Sequence, residues 1–178
     1  MENIFFKSNV QKILRVLLEH PQEALLPSEI RKETRISRAG VHSGLQELLK
    51  RGLVKRELKG RAYVYKAKTD LPALRQIKVV DCIIKLQSLI KTLSSFVDRI
   101  ILFGSCARGE NTKESDIDLF IVVHDKDRVN QELKKLSKFN LKPILKKPLE
   151  FLELKKEDPD FYLEVSRGII LFEKENEH

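Results

Sequence analysis

Residues 99–123 read RIILFGSCARGENTKESDIDLFIVV, and the fold turns on this stretch. Arg99–Phe103 is an apolar, β-favouring run, and Gly104-Ser105 follows it directly. After the ten residues 106–115 come Asp116-Ile117-Asp118, inside a second β-favouring run that ends at Val123. Side chains two apart on a strand share a face, so Asp116 and Asp118 project together and Ile117 packs behind them. Two carboxylates that close repel each other unless a cation lies between them. Hard divalent cations such as Mg²⁺ take oxygen ligands and also bridge phosphates. Gly104 lets the backbone approach a phosphate closely, and Ser105 offers a hydroxyl and an amide donor. Arg108 adds a cationic fork for the same phosphates. Each element alone fits an acidic strand end beside a Gly-Ser turn. Together, at this spacing, they imply a nucleoside-triphosphate and metal site for in-line nucleotidyl transfer.

The motif stands here as Gly104-Ser105, Ala107-Arg108-Gly109 and Ser115-Asp116-Ile117-Asp118-Leu119. It closely resembles the minimal nucleotidyltransferase family of the polymerase-β superfamily, over about residues 75–175. The resemblance implies an α/β domain with a small mixed sheet. It places Gly104 and Ser105 on the triphosphate and makes Asp116 and Asp118 the catalytic carboxylates that bind two Mg²⁺. The expected reaction is transfer of a nucleoside monophosphate, AMP from ATP, to an acceptor hydroxyl. Members of the family modify nucleic acids, antibiotics or proteins, and antitoxin members adenylylate toxin partners. An acceptor or toxin protein is therefore an implied partner.

The family usually draws a third carboxylate from a later strand, and this sequence departs there. After a helix expected near 126–138, the next extended segment is Asn140-Leu141-Lys142-Pro143-Ile144-Leu145, which contains no acid. Asn140 and Lys142 share its face, so one of them takes the expected place. The third acid is commonly regarded as the one that activates the acceptor. Its absence leaves a second reading open, a transcriptional regulator whose degenerate domain senses nucleotide or binds a partner. Glu150 and Glu153 follow Pro148 and read as exposed residues of a short helix. Asp158-Pro159 opens a last helix through Val165, Gly168 ends it, and Ile169–Phe172 closes as a strand. Cys106 has no base near it in sequence and reads as a small spacer.

Upstream, Asp70 and Leu71-Pro72 start a long periodic segment that ends near Val97, with Leu74, Ile77, Ile84, Leu89 and Leu93 on one face. A helix of about 27 residues would be roughly 40 Å long. It suits a rigid linker, a dimer seam or the first helix of the second domain, and the last of these is favoured. Cys82 lies among apolar neighbours and reads as buried filler.

Before it, NVQKILRVLLE at 9–19 has its apolar residues at Val10, Ile13, Leu14, Leu17 and Leu18, a one-faced helix that Pro21 stops. A second helix starts at Ser28, with Ile30 facing inward. A third is capped by Ser37 and runs through Val41, Leu45, Leu48 and Leu49 to Gly52. Leu53–Leu58 and Arg61–Ala67 then form two strands turning at Lys59-Gly60. Three helices followed by a hairpin resemble the winged helix-turn-helix family over about residues 8–68. The third helix would enter the major groove of double-stranded DNA, with Arg38, His42, Ser43 and Gln46 turned away from its apolar face. Lys50, Arg51, Lys55, Arg56, Lys59 and Arg61 suit phosphates. Many such regulators bind as dimers, so a homodimer is expected.

Charge supports that division. The 178-residue chain carries a net +8, and residues 1–70 hold 15 Lys/Arg against 8 Asp/Glu, so +7 of it lies there. A basic half points to an anionic partner. With 42% hydrophobic residues a packed core is expected, and no run is long and apolar enough to span a membrane. Two cysteines exclude a disulfide framework and a four-ligand zinc site. With no signal sequence visible, the expected compartment is the cytoplasm. The fold class is α+β: a winged helix-turn-helix over 1–69, then a nucleotidyltransferase-like domain over 70–178.

Overall fold

The computed structural model describes residues 6–135 and 140–175, and the chain divides into two compact units, residues 1–78 and 79–178. The first unit runs α1 (Asn9–Glu19), α2 (Pro27–Thr34), α3 (Arg38–Lys50), β1 (Val54–Lys59) and β2 (Ala62–Ala67). Ser8 caps α1 reciprocally: the Gln11 amide donates to Ser8 Oγ, and Gln11 Oε1 accepts from the Ser8 amide. Ile13, Leu14, Leu17 and Leu18 are buried, as their spacing demands. The second helix begins at Pro27 rather than Ser28, because Glu29 reaches back to the Leu26 amide at 2.6 Å and fixes the first turn there. Arg35 ends α2 in the left-handed region at φ 57°, which makes the turn into α3 tight. Ser37 Oγ then accepts from the Gly40 amide and starts α3.

The hairpin is antiparallel, and Lys59 pairs with Ala62. Its turn is therefore Gly60-Arg61, one residue later than Lys59-Gly60. Gly60 supplies the positive φ, 64°, that so short a turn requires. One core joins all these elements, with Ile13, Leu17, Ile30, Val41, Leu45 and Leu48 almost fully buried. Each such side chain contributes about 1.5–3 kcal/mol of transfer free energy.

The long helix α4 spans Pro72–Leu93. Leu71 flanks it and accepts from the Arg75 amide, so the cap position is Leu71, one residue after Asp70, where the sequence placed it. The helix stops four residues short of Val97. The joint expected near residue 70 falls instead after Lys78. Leu71, Leu74 and Ile77 pack into the first core, whereas Cys82, Leu86, Leu89 and Leu93 belong to the second.

The second unit continues with β3 (Arg99–Leu102), α5 (Gly104–Arg108), β4 (Ile117–Val122), α6 (Lys126–Lys135), β5 (Leu141–Lys146), α7 (Pro148–Glu157), α8 (Pro159–Ser166) and β6 (Ile169–Glu173). Residues 136–139, where the helix expected near 126–138 would end, lie outside the described residues. The sheet order is β5-β4-β3-β6; β4 and β5 are parallel and the other pairs antiparallel. Alternation sorts the two faces. Ile100, Leu102, Leu119 and Ile121 pack with Leu86 and Leu89 of α4 and Val129 of α6. Ile101, Phe120 and Val122 pack with Leu154 of α7 and Val165 of α8. Phe120 is fully buried, 5.2 Å from the Phe151 ring and 6.1 Å from the Phe161 ring.

Candidate functional site

Asp118 lies in β4 two residues before Phe120, so its side chain leaves the sheet on the α7/α8 face. Asp116 immediately precedes the strand, and Ile117 between them turns to the opposite core. Three contacts hold Asp116 and its backbone. Asn140 Nδ2 donates to Asp116 Oδ1, the Ile117 amide donates to the Asn140 carbonyl at 2.8 Å, and Cys106 Sγ donates to the Asp116 carbonyl at 3.6 Å. Cys106 is thus more than a spacer, because it ties α5 to the start of β4. Its other neighbour is Cys82, also buried; their hydrogen bond and their burial push the Cys82 thiol well above its ordinary range.

Gly104 opens α5 at φ 67°, a conformation that disfavours any side chain. A Cβ built there would sit 3.0 Å from Asp118 Cγ and 3.3 Å from Asp118 Cβ. The glycine therefore makes the room that the Asp118 carboxylate occupies. The Phe103 amide donates to the Asp118 carbonyl at 3.1 Å and fixes the same approach from the backbone side. Burial raises the Asp118 carboxyl above its ordinary range. Lys142 opposes that rise, and the charges of Asp116 and Glu164 add to it.

Ser105 is half-buried in α5. Arg108, at the end of α5, is half exposed and already engaged, with Glu110 at 2.9 Å and Glu164 of α8 at 3.5 Å. These acids, Glu110 foremost, raise its pKa and keep the guanidinium charged. A cavity of about 360 Å³ opens beside this loop, walled by Phe103, Gly104 and Arg108 on one side and by Leu163, Glu164 and Arg167 on the other. Glu164 and Arg167 belong to no motif in α8, so sequence reasoning had no signal by which to find them.

Neither Asn140 nor Lys142, the two residues that the sequence offers for the place of a third carboxylate, is an acid. In the parallel register Asp118 lies beside Lys142 of β5, and Asn140 is engaged with Asp116. Among the described residues no three His, Cys, Asp or Glu side chains gather into a metal cluster. Glu150 is committed elsewhere: it accepts from Lys126 Nζ at 2.7 Å and from the Lys147 amide at 2.6 Å. Glu153 is exposed on α7.

In the first unit, Val41, Leu45 and Leu48 face the core, while Arg38, His42, Ser43, Gln46 and Lys50 lie exposed on α3. Lys59 ends β1, and Arg61 sits at the hairpin tip; both are exposed. Three of the phosphate candidates have partners of their own. Arg51 pairs with Glu47 at 2.6 Å, Lys55 pairs with Glu57 at 2.9 Å, and Arg56 lies 4.3 Å above the Tyr63 ring. Their share in an anion-binding surface is smaller than their count suggests.

Fold and site define a winged-helix DNA-binding domain followed by a nucleotidyltransferase domain. The family model described as "Polymerase beta, Nucleotidyltransferase" matches residues 85–177, and the model described as "MarR family" matches residues 12–61. The first match spans more than half of the chain, and the chain belongs to the polymerase beta nucleotidyltransferase family, here fused to a MarR-like winged helix. No curated protein matches the chain. Among the described residues no helix is long and apolar enough to cross a membrane.

Proposed function

We propose that the second domain binds a nucleoside triphosphate, ATP in the first instance, with Mg²⁺ and transfers its nucleoside monophosphate to an acceptor hydroxyl, while the winged helix holds the protein on DNA. The observation that carries this reading is the fit of the Asp118 carboxylate against Gly104. A side-chain-free turn at the end of β3 stands where the half-buried Asp118 carboxylate fills the space that a Cβ would need.

The donor set suits Mg²⁺. Two carboxylates on one face repel each other, and Mg²⁺ is commonly held by one or two carboxylates together with substrate phosphates. Asp116 and Asp118 would hold the metal. When bound, Mg²⁺ supplies charge neutralisation at the phosphates and polarises the phosphorus under attack. The chain's own residues do the rest. Gly104 lets the phosphate chain approach the backbone, and Ser105 donates from its amide and hydroxyl. Arg108 exchanges Glu164 for a phosphate oxygen, a trade between two anionic partners. Asn140 and Cys106 keep Asp116 in place. In the transfer the acceptor oxygen forms a bond to the α-phosphorus, the bond from that phosphorus to the bridging oxygen breaks, pyrophosphate leaves, and the acceptor proton passes to solvent. Incubation with ATP labelled in the α-phosphate, Mg²⁺ and a panel of protein, nucleic-acid and small-molecule acceptors tests the reading. Label transfer lost in Asp116→Ala/Asp118→Ala is the expected result. Equal transfer by that variant would refute it.

For the winged helix, Arg38, His42, Ser43 and Gln46 face the major groove and Lys50, Lys59 and Arg61 take phosphates. Exposure of all seven side chains supports this assignment.

One observation favours a second reading. Lys142 beside Asp118 supplies a cation where an acceptor-activating acid is expected. A domain that binds nucleotide and passes the signal to the DNA-binding domain, without turnover, would need no third acid. Tight Mg²⁺-dependent ATP binding in calorimetry without label transfer to any acceptor distinguishes it.

A further inference from the structure

We infer that Lys142 is a phosphate-binding residue of the nucleotide site, a fixed cation that replaces part of the charge otherwise brought by metal ions. The inference rests on the nucleotide-binding reading above and concerns the metal dependence of that site.

Three observations place Lys142 on the face of the sheet that carries Asp118. First, β5 runs parallel to β4 with Lys142 in register with Asp118, and residues in register share a face of the sheet. Second, the neighbouring pair on that face, Asp116 and Asn140, is joined by a side-chain hydrogen bond, so the alternation is in phase. Third, Pro143 follows Lys142 within the strand, and Ile144, next on the same face, packs in the core with Phe120 and Val122. The backbone on either side of Lys142 is therefore fixed.

Lys142 is exposed, and β5 is the edge strand of the sheet. Its flexible stem leaves the ammonium free to serve Asp118 in the empty site and a phosphate oxygen in the filled one. A carboxylate at this position would instead add a third negative charge and demand a further cation. The site with Lys142 carries one more fixed positive charge and one fewer negative charge than such a site. It should hold a triphosphate with a weaker requirement for Mg²⁺.

The test is titration of the full-length protein with ATP by calorimetry, once with Mg²⁺ and once with EDTA, together with Lys142→Ala, Lys142→Arg and Lys142→Asp. The wild type is expected to keep measurable ATP affinity in EDTA. Lys142→Ala should weaken that affinity roughly ten- to hundredfold, the span of a hydrogen bond to a charged group. Lys142→Arg should largely preserve it. Lys142→Asp should bind ATP only when Mg²⁺ is present. Far-UV circular dichroism of each variant separates loss of binding from loss of fold, and the conservative Arg variant retains the test if the Ala variant unfolds. Wild-type binding confined to Mg²⁺ and matched by folded Lys142→Ala overturns the role of Lys142 and leaves the nucleotide reading standing. No ATP binding by the wild type in either medium overturns both.

Discussion

Gly104→Ala is the substitution that most directly interrogates how the site is built. Two costs are expected, and they can be separated. The backbone cost comes from φ 67°, where an L side chain meets its own carbonyl; this is about 1 kcal/mol. The packing cost comes from the new methyl group, which would meet Asp118 Cγ at 3.0 Å and Asp118 Cβ at 3.3 Å. Asp118 must then rotate away from its preferred angle, at about 0.5–1.5 kcal/mol. Together they give about 2 kcal/mol, a fall in Tm of roughly 8–16 °C for a unit of about 100 residues. Thermal denaturation followed by circular dichroism measures the total. A double-mutant cycle with Asp118→Ala isolates the packing part, because truncation removes the carboxyl group and leaves the backbone cost unchanged. The expected coupling is about 1 kcal/mol, with Gly104→Ala less damaging in the Asp118→Ala background. An equal cost in both backgrounds would mean that the carboxylate does not press on Gly104. An unchanged Tm in Gly104→Ala would refute the turn conformation as well.

Three further expectations follow from the same physics. Asp118→Asn should abolish label transfer yet raise stability slightly at neutral pH, by less than about 1 kcal/mol, since it removes a half-buried charge that solvent partly screens. Because folding raises the Asp118 carboxyl above 3.8, the wild type is penalised above the folded value and relieved as pH falls through it. The advantage of Asp118→Asn should therefore shrink on acidification and vanish below 3.8; an advantage that grows as pH falls contradicts the burial argument. Arg35→Val should lower Tm by roughly 4–8 °C, because a β-branched residue tolerates the left-handed region poorly, whereas Arg35→Gly should stay within about 3 °C of wild type. DNA affinity measured by fluorescence anisotropy should fall steeply with salt. If Lys50, Lys59 and Arg61 each neutralise one phosphate, removing any one should lessen the log–log slope by about 0.9, and unchanged slopes would remove them from the interface.

Much of this architecture was legible in the sequence, for identifiable reasons. Periods in the apolar residues located α1 and α3, since a helix that buries one face must repeat near 3.6 residues. Ser8, Ser37 and Asp158 use local side-chain chemistry, and Ser37 announced its helix. The Gly104-Ser105 and Asp116-Ile117-Asp118 elements were visible because alternation on a strand is a strict rule. Alternation put Asn140 and Lys142 on one face but left open which stands beside Asp118, and the parallel register selects Lys142.

What remained hidden depends on packing between distant residues. The joint shifted from 70 to 78 because Leu71, Leu74 and Ile77 join the first core, and a continuous helical pattern contains no mark of where one core ends. The hairpin turn moved by one residue because pairing of Lys59 with Ala62, not glycine alone, sets its position. Cys106 joins Asp116 only through the fold. Arg108 keeps company with Glu164 across 56 positions, and no local signal connects them.

The central claim is that Gly104, Asp116 and Asp118 form one nucleotide site. The most direct measurement is a crystal structure of the protein soaked with a non-hydrolysable ATP analogue and Mg²⁺. The account predicts the triphosphate along Gly104-Ser105, metal between its oxygens and the two aspartates, and the Lys142 ammonium on a phosphate. Analogue bound away from β4 and α5, or aspartates left without metal beside a bound analogue, would contradict it.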